Sequence, residues 1–168
     1  MLLTIFLSLV LCGAVSLMMV AAIAFIQDIR LFSSAPKEAR AVLVPRTKEV
    51  FFGARAMGWV LMLFSLLMIL GALVIAVWDG IRSGFMFRQF FGRLVIMLSI
   101  YKLYDMIFFD YFLLMKFHFF QHYYPEVESV FNAPNRSYGF NIRSQLLKLI
   151  VVFPAISALA AWLCTLLN

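Results

Sequence analysis

The chain has 168 residues, of which 65% are hydrophobic and only 13% charged, with a formal charge of +6 and a mean hydropathy of +0.99. That composition excludes an ordinary soluble domain and leaves no room for a sizeable globular domain beside several apolar spans. The positive balance is typical of loops facing anionic lipid, so the bilayer is the expected partner and nucleic acid is not.

Four stretches have the length that a helical crossing requires, about 20 residues at 1.5 Å rise: 3–26, 57–78, 94–115 and 147–167. They predict one all-α membrane domain over residues 1–168, an integral membrane four-helix bundle with short interfacial helices in its loops. The first stretch lacks a basic leader, and its apolar run exceeds that of a signal peptide, so it is read as a span. Cys12 and Cys164 lie in apolar helices nearly a chain length apart and are expected to be buried small side chains.

In the first loop, 27–56, Ser34 and Pro36 predict the start of a short interfacial helix that Pro45 closes. Trp59 and Trp78 mark the two ends of the second span, as an aromatic belt does. Between the second and third stretches, Phe85, Phe87, Phe90 and Phe91 alternate with Arg82, Arg88 and Arg93, which predicts an amphipathic segment on the outer leaflet. Ala72 and Ala76, Ser157 and Ala161, and Ala21, Ala22 and Ala24 supply seams where helices can approach closely.

The third stretch carries Lys102, Asp105 and Asp110. Three such charges cost about 8 to 10 kcal/mol to insert, whereas the twelve Leu, Ile, Val and Phe residues of 94–115 contribute about 4 to 7. The charges must therefore face protein. Lys102 and Asp105 are three residues apart, so one helix face brings them within salt-bridge reach. Asp110 lies too far along the helix to share Lys102; Arg55, Arg143 or Lys148 is then its partner, or it is held as the neutral acid. Tyr101, Tyr104 and Tyr111 add hydroxyls around this locus.

Beyond Lys116 the helix is expected to continue to Tyr123, where Pro125 stops it, so that His118 and His122 share a face. Two histidines at that spacing, with Glu126 beyond, form a weak divalent-metal pattern; an interfacial aromatic belt explains the segment equally. No cofactor is predicted. The turn-rich loop that follows reaches Asn141, which reads as the cap of the fourth span, and Pro154 bends that span.

Loops 27–56 and 116–146, with the flanking Lys148, hold ten Lys and Arg against three in 79–93. The asymmetry predicts a cell-membrane protein with both termini outside and the two long loops in the cytoplasm. Three functional readings stay open. The first is a ligand- or ion-handling subunit, in a homo-oligomer or with a membrane protein partner, whose ligand meets Tyr101, Lys102, Tyr104, Asp105, Asp110 and Arg143. The second is a membrane-embedded lipid-modifying enzyme, with Asp110, His118 and His122 as acid, base or metal-binding groups. The third is a structural protein whose polar residues specify packing.

Overall fold

Nineteen residues without a charge or a proline, Leu2–Val20, form α1 in the computed structural model of the chain. The structure describes residues 1–32, 37–44, 46, 48–131 and 142–166; the side chains of 37, 38, 114, 115, 131 and 142–144 lie outside that set. All regular elements among the described residues are helical. α2 is Lys37–Val42, α3 Ala54–Arg82, α4 Phe87–Tyr104, α5 Phe119–Tyr123, α6 Glu128–Phe131, α7 Ile142–Leu147 and α8 Phe153–Leu166. Among the described residues, three helical runs are long and apolar enough to cross a membrane: Leu2–Ile26, Ala54–Arg82 and Gln145–Leu166. These correspond to the first, second and fourth predicted stretches.

The third stretch is helical too, but it begins earlier and is wound differently. α4 starts at Phe87, where the Gln89 side chain accepts from the Met86 amide at 2.8 Å. From Asp105 to Lys116 the winding is π-helical, each amide reaching one residue further back than in an α-helix. The run ends with the Phe117 amide donating to the Phe112 carbonyl at 2.8 Å. The expected continuation to Tyr123 does not occur. His118 adopts a left-handed conformation, φ 49°, and α5 restarts at Phe119.

Two further π turns have readable causes or consequences. One, Lys148–Val152, directly precedes Pro154, whose ring would crowd the carbonyl four residues back and which has no amide to donate. The wider turn moves that ladder out of register, with the Phe153 amide on the Lys148 carbonyl. The other, Ala21–Ile26, ends α1 at Gln27, which is left-handed at φ 54°.

The chain divides into two compact units. The first comprises Met1–Ala14, Leu67–Asp105 and Ile142–Asn168. In it Thr4, Leu7, Ser8 and Leu11, spaced three and four apart, form the buried stripe of α1. Leu7 and Leu11 pack on Ala72 and Ala76 of α3 and Met97 of α4, so those alanines serve as the seam expected of them. Ser8 Oγ donates to the Thr4 carbonyl at 2.7 Å, which satisfies a fully buried hydroxyl. Phe90 packs with Ala161 and Cys164 of α8 and lies against Gly80, where a β-carbon would collide with its ring. Cys12 and Cys164 are free and buried.

The second unit comprises Val15–Leu66 and Met106–Asn141. Its core joins Ile23, Phe32 and Leu43 to Phe120, Tyr124 and Val127. Phe32 meets Phe120 and Tyr124 edge-on, at centroid distances of 5.3 and 5.2 Å. Phe120 and Tyr124 stack at 5.1 Å. Such edge-and-face arrangements satisfy the ring quadrupoles, so two loop segments distant in sequence close on one aromatic knot. The proposed helix start at Ser34 and Pro36, the stop at Pro45 and the cap at Asn141 lie outside the described residues, though a short helix, α2, is found between them in the first loop.

Candidate functional site

In the first unit, Lys102 and Asp105 form the ion pair that their spacing predicts. The Lys102 side chain is only 6% exposed and Asp105 24%, so the ammonium is shielded while its carboxylate reaches the edge of the unit. Tyr101 and Tyr104 are half-buried on the same helix. Asp110 follows in the second unit, within the π-wound stretch, half-buried and engaged with neighbouring groups.

A second polar centre in the first unit lies outside the reach of sequence reasoning. Arg93, expected on the outer leaflet, is buried in α4. Its Nη2 meets Asp79 Oδ2 of α3 at 2.7 Å, and its Nη1 donates to the Ala76 carbonyl at 2.8 Å. The guanidinium also covers the Phe85 ring at 4.4 Å. Asp79, a carboxylate at the end of an apolar helix, was the available signal; it required a cation, and the Arg82–Arg93 segment held three candidates.

The second unit contains an open cleft of about 570 Å³. It is lined by Ile26 and Gln27 from the end of the Ala21–Ile26 π turn, by Asp28, Ile29 and Arg30 that follow, and by Arg46, Arg55 and Trp59. Local chemistry sets each group. Asp28 Oδ1 accepts from the Arg30 amide at 2.9 Å and opens the short 3₁₀ turn Ile29–Phe32. Gly53, at φ 83°, turns the chain into α3, and its amide donates to Glu49 Oε2 at 2.9 Å. Two residues later Arg55 enters the cleft and donates from Nη2 to the Arg46 carbonyl. Gly58 allows α3 to approach the π turn, since a β-carbon there would stand 2.7 Å from Ile26 Cγ1 and 2.9 Å from Phe25 Cβ.

Arg46 is held from the other side by the segment after α5. Its Nη2 meets Glu126 Oε2 at 2.7 Å and donates to the Tyr123 carbonyl at 3.2 Å, while Glu126 Oε1 accepts from the Val44 amide at 3.3 Å. The guanidinium lies over the Tyr124 ring at 5.4 Å. Tyr124 is fully buried, its hydroxyl without a hydrogen-bond partner among the described residues. Burial pushes its phenol up to about 12; Arg46 opposes the shift, and Glu126 and Asp28 add to it.

The histidine pattern gains no convergence. His118, which caps α5, and His122 within it are both exposed, and Glu126 is committed to Arg46. Among the described residues no three His, Cys, Asp or Glu side chains come together to hold a metal ion. The Arg143 side chain lies outside the described set. No family model matches the chain, and comparison with curated proteins and with solved structures returns no similar chain.

Proposed function

We propose that the protein is a multi-pass membrane subunit with four crossings, which handles an ion or a small polar ligand at the charged locus of its third crossing. Packing in the second unit supports that topology. Phe120, Tyr124 and Val127 pack against Ile23, Phe32 and Leu43, and Glu126 pairs with Arg46, which favours both loops on one side of the bilayer. Between them run α3, about 43 Å long, and the helical run from Phe87 to Lys116. If α3 crosses the membrane, that run must cross back, despite Lys102, Asp105 and Asp110. The charge asymmetry favours the cytoplasm for the two long loops, with both termini outside.

The functional reading is carried by one observation: a part-buried Lys102–Asp105 ion pair, with the ammonium shielded, leads directly into a π-wound stretch, Asp105–Lys116, that holds Asp110. Ionisable groups at membrane depth mark ion and substrate paths, and π turns recur at functional sites because they re-aim side chains at a cost in helix stability. The Lys102–Asp105 pair is self-neutralising, and Asp110, half-buried in the π-wound stretch that follows, is the group assigned to the ligand in this reading. One chain supplies a thin pathway, so the reading includes assembly, with further copies or with a membrane protein partner. A lipid-modifying enzyme has less support, because His118, His122 and Glu126 do not form one site.

The test is chemical. A hydrophobic carbodiimide, dicyclohexylcarbodiimide, modifies neutral carboxylic acids from within lipid. In reconstituted protein it should modify Asp110, mapped by mass spectrometry. Modification should slow when the handled cation is present. Absence of any modification at Asp110 in mildly acidic buffer would refute the reading.

A further inference from the structure

We infer that the cleft formed by Arg30, Arg46, Arg55 and Trp59 binds a phosphate group, supplied by the headgroup of an anionic phospholipid. Three guanidinium groups border it against the single carboxylate of Asp28, and Glu126 neutralises Arg46 from outside the lining. A cleft with that balance attracts an anion, and guanidinium is the side chain best matched to phosphate oxygens. Arg46 is fixed by Glu126, the Tyr123 carbonyl and the Tyr124 ring, so it is preorganised before a ligand arrives. Arg30 is exposed and Arg55 half-buried, leaving both able to close on the ligand.

The lipid source follows from the other half of the lining. Ile26 ends one apolar helical run, and Trp59, 52% exposed, stands in the first turns of another. The cleft therefore sits where one such run ends and the other begins, at headgroup depth, with an indole of the kind that favours that interface. A free phosphate would use the arginines and leave the apolar wall idle. This inference rests on the membrane reading above but not on the Asp110 locus.

Native mass spectrometry of the full chain in detergent, titrated with phosphatidylglycerol, phosphatidylcholine or inorganic phosphate, tests it. Phosphatidylglycerol should bind at least about tenfold tighter than phosphatidylcholine, and Arg30→Gln with Arg55→Gln should weaken it about tenfold or more. Arg30→Gln alone, at an exposed position, should weaken it in the same direction without affecting folding. Arg82→Gln with Arg88→Gln, which removes equal charge from exposed positions outside the cleft, should leave binding unchanged. Equal binding of the two lipids, or full binding by the Arg30/Arg55 variant, would overturn the site. Binding of inorganic phosphate without phosphatidylglycerol would overturn the lipid source. Failure of the protein to enter liposomes would instead overturn the membrane reading, which is a separate result.

Discussion

Replacing Asp79 by Asn strands a buried cation, and the structure sets how much that costs. The Arg93 side chain is 7% exposed and Asp79 35%, with 2.7 Å between Nη2 and Oδ2. Breaking a fully buried pair from one side costs about 3 to 5 kcal/mol, whereas an exposed pair contributes about 0 to 1. Asp79 lies at the edge, and Arg93 keeps the Ala76 carbonyl and the Phe85 ring, so Asp79→Asn should cost about 2 to 3 kcal/mol. Arg93→Met should cost less, about 1 to 2 kcal/mol, because the abandoned carboxylate can hydrate while methionine fills the hydrophobic space. The double variant should fall close to Arg93→Met alone, a coupling of about 2 to 3 kcal/mol. Reversible unfolding in mixed detergent micelles, followed by circular dichroism, measures all three. An Asp79→Asn protein within about 0.5 kcal/mol of the parent, or strictly additive variants, would refute the assignment of Arg93 as a buried latch between α3 and α4.

Other outcomes follow from particular contacts. Gly80→Ala should destabilise by about 1 to 3 kcal/mol, because its β-carbon meets the buried Phe90 ring, while Gly71→Ala, with nothing within 4 Å, should be neutral or stabilise by up to about 1 kcal/mol; the same unfolding assay compares them. Tyr124→Phe removes a buried hydroxyl without a partner among the described residues and should hold or raise stability near neutral pH. Its larger effect is alkaline. A phenol raised to about 12 in the folded state, against about 10 unfolded, leaves stability intact below pH about 10 and lowers it as pH climbs from there to about 12, by about 2 to 3 kcal/mol. The phenylalanine variant should lose that part of the decline in a pH series of melting curves. Lys102→Leu or Asp105→Leu alone should lower the yield of folded protein, and the double replacement should restore it, since a buried pair is replaced by apolar volume; a double variant worse than either single one would contradict the pairing.

The apolar runs were legible because hydropathy is a property of neighbours in sequence, and 3–26, 57–78 and 147–167 reappear as helices within a few residues. Lys102 and Asp105 were legible for the same reason: a spacing of three is local, and the pair forms. Arg93–Asp79 and Arg46–Glu126 were not, because their partners are brought together by helix packing and by an aromatic knot whose members span Ile23 to Val127. The π winding of 105–116 has no compositional signature, and it changes which residues share a face. Only at 148–152 did the sequence carry the cause, in Pro154, which was read as a bend and is accommodated by a wider turn. The break at His118 was hidden by the unbroken aromatic run around it. Histidine tolerates a left-handed backbone better than most side chains, so nothing in composition marks the stop.

The account depends most on the run from Phe87 to Lys116 crossing the membrane with its charges turned toward protein. Single cysteines at Ser83, between α3 and α4, and at Ser129, on α6, probe its two sides in a background lacking Cys12 and Cys164. With a membrane-impermeant maleimide on intact cells, the residue 83 probe should be modified and the residue 129 probe only after permeabilisation. Modification of both from the same side would mean that α3 and the charged run do not cross the bilayer as a pair, and the four-crossing account would be wrong.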